Sequence, residues 1–186
     1  HQFFMLGITY KGLAFPLMFS LLSKQGNSNT SERIQLLQRF ISLFGKECID
    51  CLVADREFVG NKWIEFLNKE EIRYYIRIRN NFKVFLPREN REVKAFWLFN
   101  HLKNNEYYTY PHVVRLGNQL CYLSGEKIIE KGKGKSFLIV ISVHEPQDPQ
   151  EQYAKRWQIQ TSFKAMKTSG CNIEKTHLNQ VNRIEK

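Results

Sequence analysis

Apolar and polar positions change period several times along this 186-residue chain, and each change marks an element. Residues 3–10 and 13–22 are rich in β-branched and aromatic side chains and are parted by Lys11-Gly12, which predicts a β-hairpin. Pro16 within the second run predicts an edge strand or a bulge. In the polar stretch KQGNSNTSER that follows, Ser28, Thr30 or Ser31 offers a helix cap. Ile34, Leu37, Phe40, Ile41 and Phe44 then recur at helical spacing, and Gly45 ends that helix. CIDCLVA (48–54) is a continuous apolar run of strand length, predicted to be buried on both faces and closing on Asp55. After Gly60, the residues Trp63, Ile64, Phe66 and Leu67 predict a short amphipathic helix. In IRYYIRIR (72–79), Tyr74, Ile76 and Ile78 alternate with Tyr75, Arg77 and Arg79, the pattern of a strand covered on one face.

Residues 80–135 read as a β-rich module without a helix, carrying the short strand-like runs FKVFL, VKAFWLF, YYTYPHVVRL and QLCYLSG between polar turns. SFLIVISV (136–143) predicts another buried strand. Beyond the turn-forming EPQDPQ, a helix is expected from near Glu151 to about Thr168. Ile159, Phe163 and Met166 give that helix a packing stripe. Tyr153, Arg156, Gln160, Lys164 and Lys167 fall within about 80° of one another on a different side, at ~100° per residue. That side has no acid, whereas surface helices usually mix their charges into i,i+4 pairs. The chain thus divides into residues 1–79, the β-rich stretch 80–135, and residues 136–186.

Charge sharpens the picture. The formal net charge is +10, which favours a polyanionic partner such as nucleic acid. No apolar run approaches the ~20 residues of a membrane-spanning helix. The opening HQFFMLGITY has no basic stretch followed by a cleavage site, so it is not a signal peptide. It begins in strand character and NQVNRIEK ends in helix character, so an internal piece of a longer chain is expected. Cys48 and Cys51 form a C-x-x-C, the spacing of half a zinc site or a redox pair. No second pair follows and both lie in an apolar run, so buried reduced thiols of a cytoplasmic protein are expected.

Asp55 is the sharpest single residue. A loop aspartate after a strand commonly forms a turn or cap, but ligands of α/β sheets gather outside the carboxyl ends of strands. Arg56 and Glu57 stand beside it in DREFVG. An acid flanked by an arginine suits a metal ion with a phosphate nearby, since hard cations take carboxylate oxygens and arginine grips phosphate bidentately. On the last helix Arg156, Lys164 and Lys167 suit successive phosphates, and Tyr153 suits a phosphate or a base. No H-E-x-x-H, G-x-S-x-G or phosphate-binding Walker loop occurs, and no RNA-binding signature appears.

DREFVGNKW (55–63) and Y-x2-R-x3-Q-x6-K (153–167), the latter followed by TSGCNIEKTHL, resemble a bacterial insertion-sequence transposase of the DDE class. The nearest group is the cut-and-paste family with the signature Y-x2-R-x3-E-x6-K, and the resemblance spans essentially the whole chain. It implies an α/β, RNase H-like mixed sheet flanked by helices, with a β-rich insertion before the last catalytic helix. In that family three carboxylates hold two divalent metals, normally Mg²⁺ with Mn²⁺ able to substitute. One metal activates water or a DNA 3′-hydroxyl and the other stabilises the leaving oxygen. Asp55 matches the second carboxylate. Tyr153, Arg156 and Lys167 match the residues that hold transposon-end DNA, with Lys164 on the same face and Arg56 next to Asp55. The implied partners are double-stranded DNA, as terminal inverted repeats and target, and a second copy of the chain as a homodimer on two ends. The implied place is the bacterial cytoplasm, on the nucleoid when DNA is bound.

Two departures stand out. The family's first aspartate lies on a strand just upstream of the hairpin, before His1. The third carboxylate belongs at position 160, where this chain has Gln160. An amide keeps one carbonyl oxygen for a metal or water but loses the charge and one ligating oxygen, so Gln160 is a weak ligand. Glu174 lies 14 positions on, roughly 21 Å along a continuous helix, and is a poor substitute. The chain is therefore expected to be a transposase core that does not catalyse as written. The competing expectation is a non-catalytic protein that binds and blocks transposon ends.

Overall fold

The structure, a computed structural model, describes residues 2–11, 13–22, 26–130, 134–145, 149–155 and 161. Two compact units result, one holding the chain up to Phe44 and one spanning Gly45–Tyr153.

In the first unit β1 (Gln2–Tyr10) and β2 (Leu13–Leu22) form an antiparallel hairpin. Its register slips between Leu6 and Gly7, opposite Met18 and Pro16, so the proline sits at a bulge as expected. Helix α1 (Thr30–Phe44) follows and buries Leu36, Leu37 and Phe40. Its cap is Asn29, not Ser28, Thr30 or Ser31. Asn29 Oδ1 accepts from the Glu32 amide at 2.9 Å while Glu32 Oε2 accepts from the Asn29 amide at 2.6 Å, a reciprocal capping box. Ser28 serves elsewhere, its Oγ accepting from buried Arg33 Nε at 3.0 Å. Gly45, at φ 86°, ends the helix in a conformation open to glycine.

The second unit holds eight strands in the order β3-β4-β10-β9-β8-β5-β6, with β7 paired to β9. They are β3 (Leu52–Ala54), β4 (Tyr74–Ile78), β5 (Lys83–Leu86), β6 (Arg91–Lys94), β7 (Tyr107–Thr109), β8 (Val114–Leu116), β9 (Gln119–Glu130) and β10 (Gly134–Ser142). Only β3 and β4 run parallel, so the sheet is mixed. The strands of the β-rich stretch continue into the same sheet, because β9 pairs with β10 along its length while β10 pairs with β4 on its other edge. Helix α2 (Asn61–Lys69) buries Trp63, Ile64 and Leu67. It is tied to the β8–β9 turn by the Asn118 amide donating to Asn61 Oδ1 (3.2 Å) and by Asn68 Nδ2 donating to Gln119 Oε1 (2.9 Å).

Four expectations need correction. The run 48–54 is not one buried strand: Lys46–Cys48 is a 3-10 turn, and only Leu52–Ala54 joins the sheet, at its edge, with Ala54 alone buried. Consequently Cys48 is exposed and Cys51 half-buried, while Cys121 is the buried thiol among the described residues. Strand β4 is covered on both faces at its start, since Tyr75 as well as Tyr74 is buried. The VKAFWLF run contains a 3-10 helix, Ala95–Phe99, whose Ala95 and Phe99 face inward. It is apolar like a strand, but short apolar runs do not reveal their period.

Cys121 yields a pH test. Burial pushes its thiol up to about 12 from 9.0. Above pH 9 the unfolded thiol sheds its proton while the folded one keeps it, so the unfolded state binds fewer protons and stability falls as pH rises. Denaturant unfolding at pH 8.5 and pH 10 is expected to show a loss of about 1 kcal/mol, mostly removed by Cys121→Ala. Burial and the nearby Cys121 also raise the Tyr74 phenol, which begins to add to the loss as pH approaches 10.

Candidate active site at the end of strand β3

Strands β3 and β4 pair in register as Leu52 with Tyr74, Val53 with Tyr75 and Ala54 with Ile76. Asp55 follows Ala54 directly and so stands at the carboxyl end of β3. Asp55 also begins the 3-10 turn Arg56–Phe58: its Oδ1 accepts from the Arg56 amide at 2.8 Å, and its carbonyl accepts from the Phe58 amide at 2.9 Å. The capping role common for a loop aspartate is thus realised, and it fixes the carboxylate at the strand end.

The turn is braced from the residue just past β4. Arg79 Nη2 donates to both Glu57 oxygens, at 3.1 and 3.3 Å, and Arg56 Nε lies 3.6 Å from Glu57 Oε1. Both arginines are about half exposed, so these pairs orient the loop more than they stabilise it. Arg56 and Arg79 thus bracket Glu57, two residues after Asp55. Arg79 was visible in the alternation of IRYYIRIR, but nothing local showed that it would reach Glu57 in the turn after Asp55.

Residues 149–155 form the described part of helix α3, which was expected from near Glu151. Tyr153, expected on the outer charged face, is 1% exposed. Its ring packs with Tyr75 and Val140, flanked by Cys51, Val53 and Leu138. Its hydroxyl donates to Asp55 Oδ1 at 3.3 Å. The structure therefore brings together three of the expected site residues, Asp55, Arg56 and Tyr153. Arg156, Gln160, Lys164 and Lys167 lie outside the described residues, as do Ile159, Phe163, Met166 and Glu174.

A family model described as the transposase DDE domain matches residues 2–186. The chain belongs to this family. No curated protein matches the chain. The mixed sheet flanked by helices is the RNase H-like fold of an insertion-sequence DDE transposase, and the family's work is DNA transposition. Among the described residues of this transposase domain no helix is long and apolar enough to cross a membrane.

DDE transposases use divalent metal ions, and Asp55 has the chemistry of one ligand: a hard carboxylate held at a rigid strand end. Among the described residues no group of three or more His, Cys, Asp or Glu stands together to complete a site. A bound divalent metal supplies Lewis acidity and a deprotonated water at neutral pH. What the described residues contribute is the Asp55 carboxylate, held by the Arg56 amide and the Tyr153 hydroxyl.

Proposed function

We propose that this chain is the catalytic core of a transposase for cleaving transposon ends and transferring the strand, and that Gln160 leaves it without catalysis. The observation that carries the first half is Asp55 closing β3 within DREF, held from both its own turn and the signature helix, in a chain of the DDE family. The second half rests on the amide at position 160, where the family signature has glutamate. Mg²⁺ is the metal proposed for the complete site, with Mn²⁺ as substitute, and Asp55 and Gln160 are its positions. The proposed DNA contacts are Arg56, Tyr153, Arg156, Lys164 and Lys167, reading terminal inverted repeats as a homodimer on two double-stranded ends. The bacterial cytoplasm and nucleoid are the proposed location.

Gln160 also favours a second reading, in which the protein binds transposon ends without cutting them. An upstream D-x-T motif in an open frame supports the enzyme; an early stop there supports the end-binding remnant.

Both readings require phosphate contacts. If all four named basic residues touch phosphate, the affinity for terminal-repeat duplex should fall with a log–log slope of about −3.6 against salt, or ~150-fold for a fourfold salt increase. Fluorescence anisotropy across that range checks it. A flat salt profile contradicts the basic-face assignment.

A further inference from the structure

We propose that Glu57 is a positioning residue that aims two arginines, Arg56 and Arg79, at the DNA backbone, and that Arg79 is a phosphate contact beyond the basic residues already named. This rests on the reading of the chain as a DNA-binding transposase core.

The three side chains come from two elements. Arg56 and Glu57 lie in the 3-10 turn that Asp55 opens, and Arg79 follows β4, the strand paired parallel to β3. Arg79 Nη2 donates to Glu57 Oε1 at 3.1 Å and to Oε2 at 3.3 Å, while Arg56 Nε stands 3.6 Å from Oε1. One carboxylate thus gathers two guanidinium groups, and the trio stays net positive. Stability does not explain it. The side chains of Arg56, Arg79 and Glu57 are 49%, 59% and 37% exposed, and ion pairs open to water contribute little. Accessible cations that share a single acid still suit a polyanion. Arginine carries five N–H donors in a rigid planar fork. Glu57 engages Arg79 through Nη2 and Arg56 through Nε, which leaves donors on both forks for phosphate oxygens. An arginine already held in place loses less freedom when it binds, so the carboxylate prepares the pair for its ligand. The backbone is thereby drawn to the strand end that Asp55 closes.

The sign of one substitution decides. Glu57→Gln removes an acid from a DNA-binding surface, so charge alone predicts tighter binding, whereas loss of the positioning carboxylate predicts weaker binding. The whole chain is titrated onto a fluorescein-labelled, mixed-sequence DNA duplex, with anisotropy followed across salt concentrations. Glu57→Gln is expected to weaken binding about twofold or more. Arg79→Ala is expected to weaken it with a log–log salt slope shallower than the parent's by about 0.9. Arg79→Lys keeps the charge without the fork, and should restore the slope but only part of the affinity. Urea midpoints matching the parent's, as expected for side chains this exposed, separate these effects from unfolding. Unchanged or tighter binding by Glu57→Gln overturns the positioning role, and a parental slope in Arg79→Ala overturns the phosphate contact. A parent chain that shows no salt-dependent binding to the duplex defeats the DNA-binding reading itself.

Discussion

Gln160→Glu, in a chain that also carries the family's upstream aspartate, is expected to raise nicking of terminal-repeat DNA by at least 10²–10³-fold, on the order of what one preorganised charged group contributes to a transition state. The physical reason is charge. Phosphodiester cleavage gathers negative charge on the reacting phosphate and brings divalent cations beside it. Carboxylates must hold those cations, since an amide dipole offers one weak oxygen and no net charge. Asp55 already stands at the end of β3 with its orientation fixed, so the strand-end half of the site needs no repair. The same chain with glutamine at 160 is expected to give no cleavage above background with Mg²⁺ or Mn²⁺. Equal nicking by the two would remove position 160 from the site.

Phe99→Ala is expected to cost about 3–5 kcal/mol, the largest stability effect among the changes considered. Phe99 has no exposed surface and lies against Gly125 of β9, where an added Cβ would come within 2.5 Å of the ring. It also meets Tyr108 edge-on, with ring centroids 6.4 Å apart. Glycine lets the ring press on strand backbone, and backbone in the middle of a paired sheet cannot move in to fill the space left by alanine. The cavity therefore persists, which puts the cost at the upper end for such truncations. Domains of this kind have only about 5–15 kcal/mol of stability in total, so the variant approaches the limit of folding. Urea unfolding followed by fluorescence measures it. A cost below about 1 kcal/mol would mean the sheet collapses onto the cavity.

The hairpin, α1, α2, β4 and β10 were legible in the sequence because each carries its own period. The 48–54 run was not, because edge and centre strands share an apolar composition and differ only in their neighbours, which are set by pairing far along the chain. The pairing of β10 with β4 spans some sixty residues and has no local signal. At the site, Asp55 was legible as the residue that closes β3, and the turn it caps is the common use of such an aspartate. Tyr153 misled because it has two natures: its phenol tip groups it with Arg156 and the lysines on a helical wheel, while its ring belongs to the core. Helical phase placed it with the charges; the sheet face formed by Val53, Tyr75 and Val140 claimed it instead.

The central claim is that Asp55 is the carboxylate around which this transposase core works. The most direct measurement is metal-dependent nicking of terminal-repeat DNA by the chain restored with Gln160→Glu and the upstream aspartate, with and without Asp55→Asn. Asp55→Asn should return nicking to background while leaving DNA affinity within about twofold, as expected for an interaction made in the reacting complex and not in simple DNA binding. Nicking that survives Asp55→Asn at a comparable rate would contradict the claim.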